Sequence, residues 1–110
     1  MIDRDTGRID WRRDSSPIRN LIRGLNPCPG AYGTLGGKRV KIWRADFDGS
    51  IKSPGAPGEV YGVDPEGIRV YTGDGGLIIN DVQLEGGRRI DAYSYTLGHH
   101  LRPGDRFEEA

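Results

Sequence analysis

The stretch from Ile18 to Ala45, IRNLIRGLNPCPGAYGTLGGKRVKIWRA, leaves few folds open to this chain. Ile18, Leu21, Ile22 and Leu25 recur at i, i+3, i+4 and i+7, which is one apolar stripe of a helix. The stripe predicts a helix over residues 14–25, with Ser16 as N-cap and Pro17 in the first turn. Asn26-Pro27 and Cys28-Pro29-Gly30 then stop it. Proline has no N–H to donate, and it drives the residue before it into extended geometry. Gly36-Gly37 follows between two short apolar runs, which reads as a hairpin. An amphipathic helix feeding directly into a hairpin must bury its stripe against that sheet.

The remainder reads as more short strands. Eighteen glycines and seven prolines favour tight turns over a helical bundle. Strands are predicted at residues 31–35, 39–47, 59–63, 68–72 and 77–84. In the second of these, Val40 and Ile42 alternate with Lys41 and Trp43, and Arg44 shares the side of Val40 and Ile42 unless a bulge intervenes. A Gly/Pro/Ser-rich loop covers 48–58, and Asp64-Pro65-Glu66-Gly67 forms a turn. Residues 90–97 read as a short helix capped by Asp91, and 101–110 as a tail. The fold expected is mostly β with α. It is a small antiparallel OB-like barrel of five to six strands, closed or nearly so, with a packed N-terminal helix and a short C-terminal one. A length of 110 residues suits a single domain. No run approaches a membrane span and no apolar leader follows Met1. The single Cys28 cannot form an internal disulfide and suits a reducing compartment, so a cytoplasmic location is expected.

Net charge is zero, but its distribution is uneven. Residues 1–44 hold ten basic and four acidic side chains, and residues 45–110 hold six and twelve. Such asymmetry points to a charged face for an anionic partner, or else to two halves that interdigitate and cancel. The candidate cations fall in two groups. Arg12, Arg13, Arg19 and Arg23 belong to the first helix and its approach, and a solvated helix face is the competing reading for them. Lys38, Arg39, Lys41 and Arg44 belong to the hairpin, where charge also serves to protect a sheet edge. Several cations on one rigid surface displace the counterions of a phosphate backbone, which is what nucleic-acid binding requires. Trp43, Tyr32, Phe47, Tyr61 and Tyr71 offer stacking faces, although packing is the commoner use of such residues. His99-His100 lacks further ligands at metal spacing, so no metal is expected and His99 reads as a hydrogen-bonding structural residue. Cys28 has no activating neighbour. The glycines at 73–76 precede a strand, not a helix, and so read as a turn.

Taken in order, a set of short motifs resembles the C-terminal domain of the methionyl-tRNA formyltransferases. Gly7-Arg8-Ile9-Asp10-Trp11 is similar to that family's opening into the domain. Arg23, then Pro27, Pro29, Gly30, Ala31 and Tyr32, match its Arg and Pro-x-Pro-Gly-Ala-Tyr pattern, and residues 38–42 match its Gly-Lys-x-x-Lys-Ile strand. Pro57-Gly58, residues 67–74, Gln83, Gly98-His99 and Gly104 keep the same order. Gly24, Cys28 and Thr96 depart from the pattern. The resemblance covers almost the whole chain, and it too implies an OB-like barrel.

The resemblance implies that residues 1–13 are an interdomain linker remnant, 14–107 the C-terminal domain and 108–110 a tail. It further implies that formyl transfer from 10-formyltetrahydrofolate to methionyl-tRNA takes place in a separate N-terminal catalytic domain absent from this chain. This domain is then expected to hold tRNA weakly through Arg12, Arg13, Arg19, Arg23, Lys38, Arg39, Lys41 and Arg44. It is expected to carry no catalytic residue and no cofactor of its own, and to have tRNA and its own catalytic domain as partners, with no membrane and no metal. The alternatives are the C-terminal domain of a sugar-nucleotide formyltransferase and a non-enzymatic packing module.

Overall fold

The computed structural model of the chain describes residues 7–26, 30–51 and 55–108. The turn expected at 27–29 with Cys28, part of the loop expected at 48–58, the first six residues and the last two lie outside the described residues. The elements are α1 (Ser15–Leu25), β1 (Ala31–Leu35), β2 (Lys38–Phe47), β3 (Val60–Asp64), β4 (Gly67–Tyr71), β5 (Gly76–Leu84), β6 (Arg89–Asp91) and α2 (Ala92–His99). All strand pairs are antiparallel. The sheet order is β1-β2-β5-β4-β3, with β6 added to β5. Ile18 and Ile22 of α1 and Ala92 and Tyr95 of α2 share one core with Val40 and Ile42 of β2, Val70 of β4 and Leu77 and Ile79 of β5.

The mostly β fold with a helix near each end is the one expected, but the ladder does not close into a barrel. β1 and β3 are its two ends. The C-terminal segment enters the gap between them. Val60 N–H donates to Asp105 O, Gly104 N–H to Val60 O and Phe107 N–H to Gly58 O, each at 2.8 Å, and Glu108 N–H then reaches Thr34 O of β1. The segment expected to be a linker packs onto the domain. Ile9 N–H donates to Tyr32 O, Tyr32 N–H donates to Gly7 O, and Ile9 and Trp11 are buried in the core. Trp11 meets Phe107 with ring centroids 4.7 Å apart.

Two local expectations are corrected, and one left open is decided. The N-cap position of α1 is Asp14, not Ser16, which puts Pro17 third in the helix; the Asp14 side chain makes no capping bond. Asp74, in the β4–β5 turn, instead accepts from Ser15 N–H at 2.9 Å, while the Ser15 and Thr72 hydroxyls lie 2.7 Å apart. A tertiary contact thereby satisfies a helix-end donor that the local sequence leaves open. The expected helix at 90–97 begins at Ala92, because Arg89–Asp91 pairs with β5 first; Asp91 does cap it, accepting from Ser94 N–H at 2.9 Å. Finally, β2 is bulged, with register shifts on both sides of Arg44.

Candidate nucleic-acid interface

The bulge decides which cations face solvent. Strict alternation places Arg44 inward with Val40 and Ile42. The extra residue instead turns Arg44 outward and drops Ala45 into the core. Lys41, Trp43 and Arg44 thus share the outer surface of one strand. Register extends the row across four strands: Tyr32 lies opposite Lys41, Lys41 opposite Gln83, and Gln83 opposite Arg89.

Trp43 organises this row. Its Nε1–H donates to Gln83 Oε1 at 2.9 Å, which fixes the indole plane. The Lys41 ammonium sits 4.0 Å from the ring centroid and the Arg89 guanidinium 4.8 Å from it. Arg39 lies 4.2 Å above Tyr32. Each such contact contributes about 0.5–1 kcal/mol at an exposed site, enough to bias long side chains without desolvating their charges. Asp81 lies among them, with Oδ2 accepting from Arg89 at 2.8 Å and lying 4.0 Å from Arg44 Nε, and Glu85, whose N–H donates to Arg39 O at 3.0 Å, borders the row.

The helix arginines divide. Arg19 is anchored: its Nε donates to Ala45 O at 3.2 Å, its Nη2 lies 3.7 Å from Asp46, and it covers the Phe47 ring. Asn26, seven residues on, donates to Trp43 O at 2.7 Å. The stripe Arg19–Arg23–Asn26 therefore runs along β2, and Arg23 is exposed between its two anchors, beside the bulge. Arg12 and Arg13 lie at the other end of α1, roughly 15 Å away along the axis, where Asp10 pairs with Arg12 at 3.0 Å. Lys38 sits at the hairpin end and lines a separate cavity of about 410 Å³.

Of the eight cations expected from sequence, Lys41 and Arg44 form the centre of the outer face. Arg39, Arg19 and Arg23 flank them, and Arg12, Arg13 and Lys38 stand apart. The places of Arg89, Asp81 and Gln83 in this face escaped sequence reasoning. Only the β2–β5–β6 register brings them together, and nothing local to 89–91 announces a three-residue strand. Tyr32, expected as a possible platform, is buried beneath Arg39, and Tyr61 stacks on Tyr71 at 4.3 Å.

A second polar cluster is structural. Arg69 bonds Asp48 at 2.9 Å and Asp64 at 2.8 Å, while Ser50 and the Tyr61 hydroxyl also donate to Asp48. Burial by itself pushes the Asp48 carboxyl up. The hydrogen bonds from Ser50, Tyr61 and Arg69 outweigh it and hold the group far below the ordinary carboxylate range. Burial, then the hydrogen bond to Asp48, pushes the Tyr61 phenol far up. Both groups stay in one protonation state at neutral pH, which suits a brace and not a proton carrier.

Residues 1–100 match the profile of the formyl transferase C-terminal domain. The chain belongs to that family. The match takes in Ile9 and Trp11 as well as the sheet. Relatives named methionyl-tRNA formyltransferase include those of Citrifermentans bemidjiense, 40% identical over 94% of this chain, and Alkaliphilus metalliredigens, 42% identical over 94%. That of Agathobacter rectalis is 42% identical over 97%. This formyl transferase C-terminal domain spans about a third of the length of those curated relatives. Among solved structures, a variant of HypX from Aquifex aeolicus superposes over 100% of the chain and 19% of its own, with a TM-score of 0.73 at 22% identity. HypX bound to tetrahydrofolic acid covers 99% of the chain and 21% of its own, with a TM-score of 0.71 at 20% identity. At that identity the likeness establishes the fold of the family domain.

Proposed function

We propose that this domain positions tRNA for a methionyl-tRNA formyltransferase, using the outer face of β1, β2, β5 and β6 as a phosphate-binding surface. Chemistry on the folate donor belongs to a separate N-terminal catalytic domain of the whole protein, and this domain contributes neither a catalytic group nor a cofactor site. The observation that carries the reading is the outward cluster of Lys41, Arg44 and Arg89 around Trp43, on a fold whose relatives bear that enzyme's name. Cations held over an indole are preorganised yet still hydrated, so they exchange water and counterions for phosphate at little ordering cost. Such contacts fix the register and orientation of the RNA without reading its sequence.

The test is a titration with bulk tRNA at low and moderate salt. If about three counterions are released, affinity falls roughly 20- to 40-fold between about 50 and about 200 mM salt. A Lys41→Glu, Arg89→Glu variant should abolish most of this binding, whereas Arg12→Gln, Arg13→Gln should change it less than about threefold. Absence of binding at low salt, or equal losses in the two variants, refutes the assignment and favours a packing module or a small-substrate formyltransferase.

A further inference from the structure

The two ends of the chain meet on the edge of β1 that β2 leaves open. Residues 7–11 enter along that edge, where Arg8 bridges Tyr32 in parallel, Ile9 N–H donates to Tyr32 O at 2.9 Å and Tyr32 N–H to Gly7 O at 2.8 Å. Residues 104–108 leave beside them, with Glu108 N–H on Thr34 O of the same strand and Phe107 N–H on Gly58 O, both at 2.8 Å. Trp11 and Phe107 meet between the two segments, 3% and 1% exposed, with 33° between their ring planes. Gly33 is crowded by both rings: a Cβ there would stand 2.6 Å from Phe107 and 3.4 Å from Trp11. Gly58 approaches the same pair, and a Cβ there would stand 3.3 Å from Phe107 O and 3.7 Å from Trp11.

Each segment also has bonds of its own. The Asp10 carboxylate accepts from Arg12 N–H at 3.1 Å and pairs with its guanidinium at 3.0 Å, inside the entry. The Asp105 carboxylate accepts from Arg102 N–H at 3.0 Å, inside the exit. From Arg13 onward the chain is tied elsewhere, since Gly73 N–H donates to Arg13 O at 2.8 Å and Ser15 N–H to Asp74. At the other end Leu101 N–H donates to Thr96 O, which fixes the start of the exit to α2. Residues 7–11 and 104–108 thus share one ring contact between fixed ends, and lifting either segment exposes both rings to water. Burial that neither ring keeps without the other makes two segments open cooperatively.

We infer that residues 104–108 act as a clasp on residues 7–11: the two segments open and close as one unit while β2 and β5 stay paired, and the closed state fixes the path by which the chain enters the domain. Closed, the entry lies beside Tyr32, in the row that continues through Lys41 and Gln83 to Arg89. On the reading proposed above, in which a catalytic domain precedes Gly7, the closed clasp holds that domain in a set orientation to the phosphate-binding face. Open, it leaves the two domains joined by a loose tether.

Amide hydrogen exchange on the full chain, in the regime that reads opening equilibria, tests this without RNA. The amides of Ile9, Tyr32, Phe107 and Glu108 should be protected equally within about threefold, and at least about tenfold less than the slowest amides of β2 and β5. Asp105→Ala removes the carboxylate bond inside the exit; it should speed exchange at Ile9 and Tyr32 as well as at Phe107 and Glu108, by about two- to tenfold. Asp10→Ala removes the bond inside the entry and should speed Phe107 and Glu108 in turn, since coupling between two sites is reciprocal. The amides of β2 and β5 should not respond to either change. A variant that speeds only its own segment overturns the clasp, and so does an equal rise in β2 and β5, which would make the opening global. Neither outcome bears on the tRNA titration, and a failed titration leaves the coupling intact.

Discussion

Replacing Phe107 with alanine tests whether the C-terminal segment is a working part of the core. The ring is 1% exposed, packs on Trp11 and lies so close to Gly33 that a Cβ there would come within 2.6 Å of it. A buried Phe→Ala change costs about 3–5 kcal/mol through lost transfer energy and the cavity left behind. Phe107 also lies between two bridging bonds, from its own N–H to Gly58 O and from Glu108 N–H to Thr34 O, both 2.8 Å. Loosening the segment weakens these as well, so the upper half of that range is expected. For a domain of this size, 4 kcal/mol corresponds to a Tm drop of about 15–25 °C, out of a total stability of about 5–15 kcal/mol. Urea denaturation followed by tryptophan emission reads both the loss and its origin, since Trp11 is buried and becomes hydrated if the segment detaches. Leu97→Ala, at a residue 62% exposed, is the control and should cost under about 0.5 kcal/mol. A loss below about 1 kcal/mol for Phe107→Ala would show that the segment merely lies on the surface, and the argument for closure of the sheet by the tail would fail.

Other outcomes follow from the same structure. Asp48→Asn, which removes a buried partner of Arg69, should cost about 3 kcal/mol at neutral pH. Because the folded carboxyl titrates far below its unfolded value of about 3.9, its contribution is complete above that value and is lost progressively as pH falls from there toward the folded value; urea midpoints of the two proteins should therefore begin to approach each other below about pH 4 and draw together only in strong acid. Gly67→Ala should cost more than about 2 kcal/mol by urea denaturation, since φ is +144° and the new Cβ would meet the Ile79 carbonyl oxygen inside the β4–β5 ladder, where neither strand can yield without losing register. Asp81→Asn should tighten tRNA binding about tenfold at low salt, because it frees two arginines from one competing carboxylate; fluorescence anisotropy with labelled tRNA measures this, and unchanged affinity would remove Arg44 and Arg89 from the contact.

What the sequence disclosed and what it hid differ by the range of the forces involved. The α1 stripe, the Gly36-Gly37 hairpin and the Asp91 cap depend on neighbours within a few residues, so periodicity and turn chemistry found them. The start of α1 did not follow, because Asp74 supplies its hydrogen bond from 59 residues away. β6 was misread as helix because three residues carry no period; they extend only because Asp81, Val82 and Gln83 present an unpaired edge to them. For the candidate interface, the pattern of the sequence put Lys41 and Arg44 on one strand and left open the side on which Arg44 falls. That depends on where the two-residue period breaks, and the break is fixed by the pairing of Ala45 with Ile79 and of Ile42 with Val82.

The same pairing reconciles a net charge of zero with a basic face. The acidic half does interdigitate with the basic half, since β5 and β6 lie beside β2. Its acids, however, are sorted unevenly by the fold. Arg69 gathers Asp48, Asp64 and Glu66, at 2.9, 2.8 and 3.6 Å, around the β3–β4 turn. Asp74 is spent on the end of α1 and Asp91 on the end of α2. Asp81 is inserted among Arg39, Lys41, Arg44 and Arg89, Glu85 borders Arg39 through the bond from its N–H to Arg39 O, and the same interleaving delivers Arg89 itself. Charge cancellation is therefore complete over the chain, while among the described residues of the outer face the four cations Arg39, Lys41, Arg44 and Arg89 stand beside the two carboxylates Asp81 and Glu85. The bulge at Arg44 converts that sequence-wide balance into a local surplus by keeping the guanidinium out of the core.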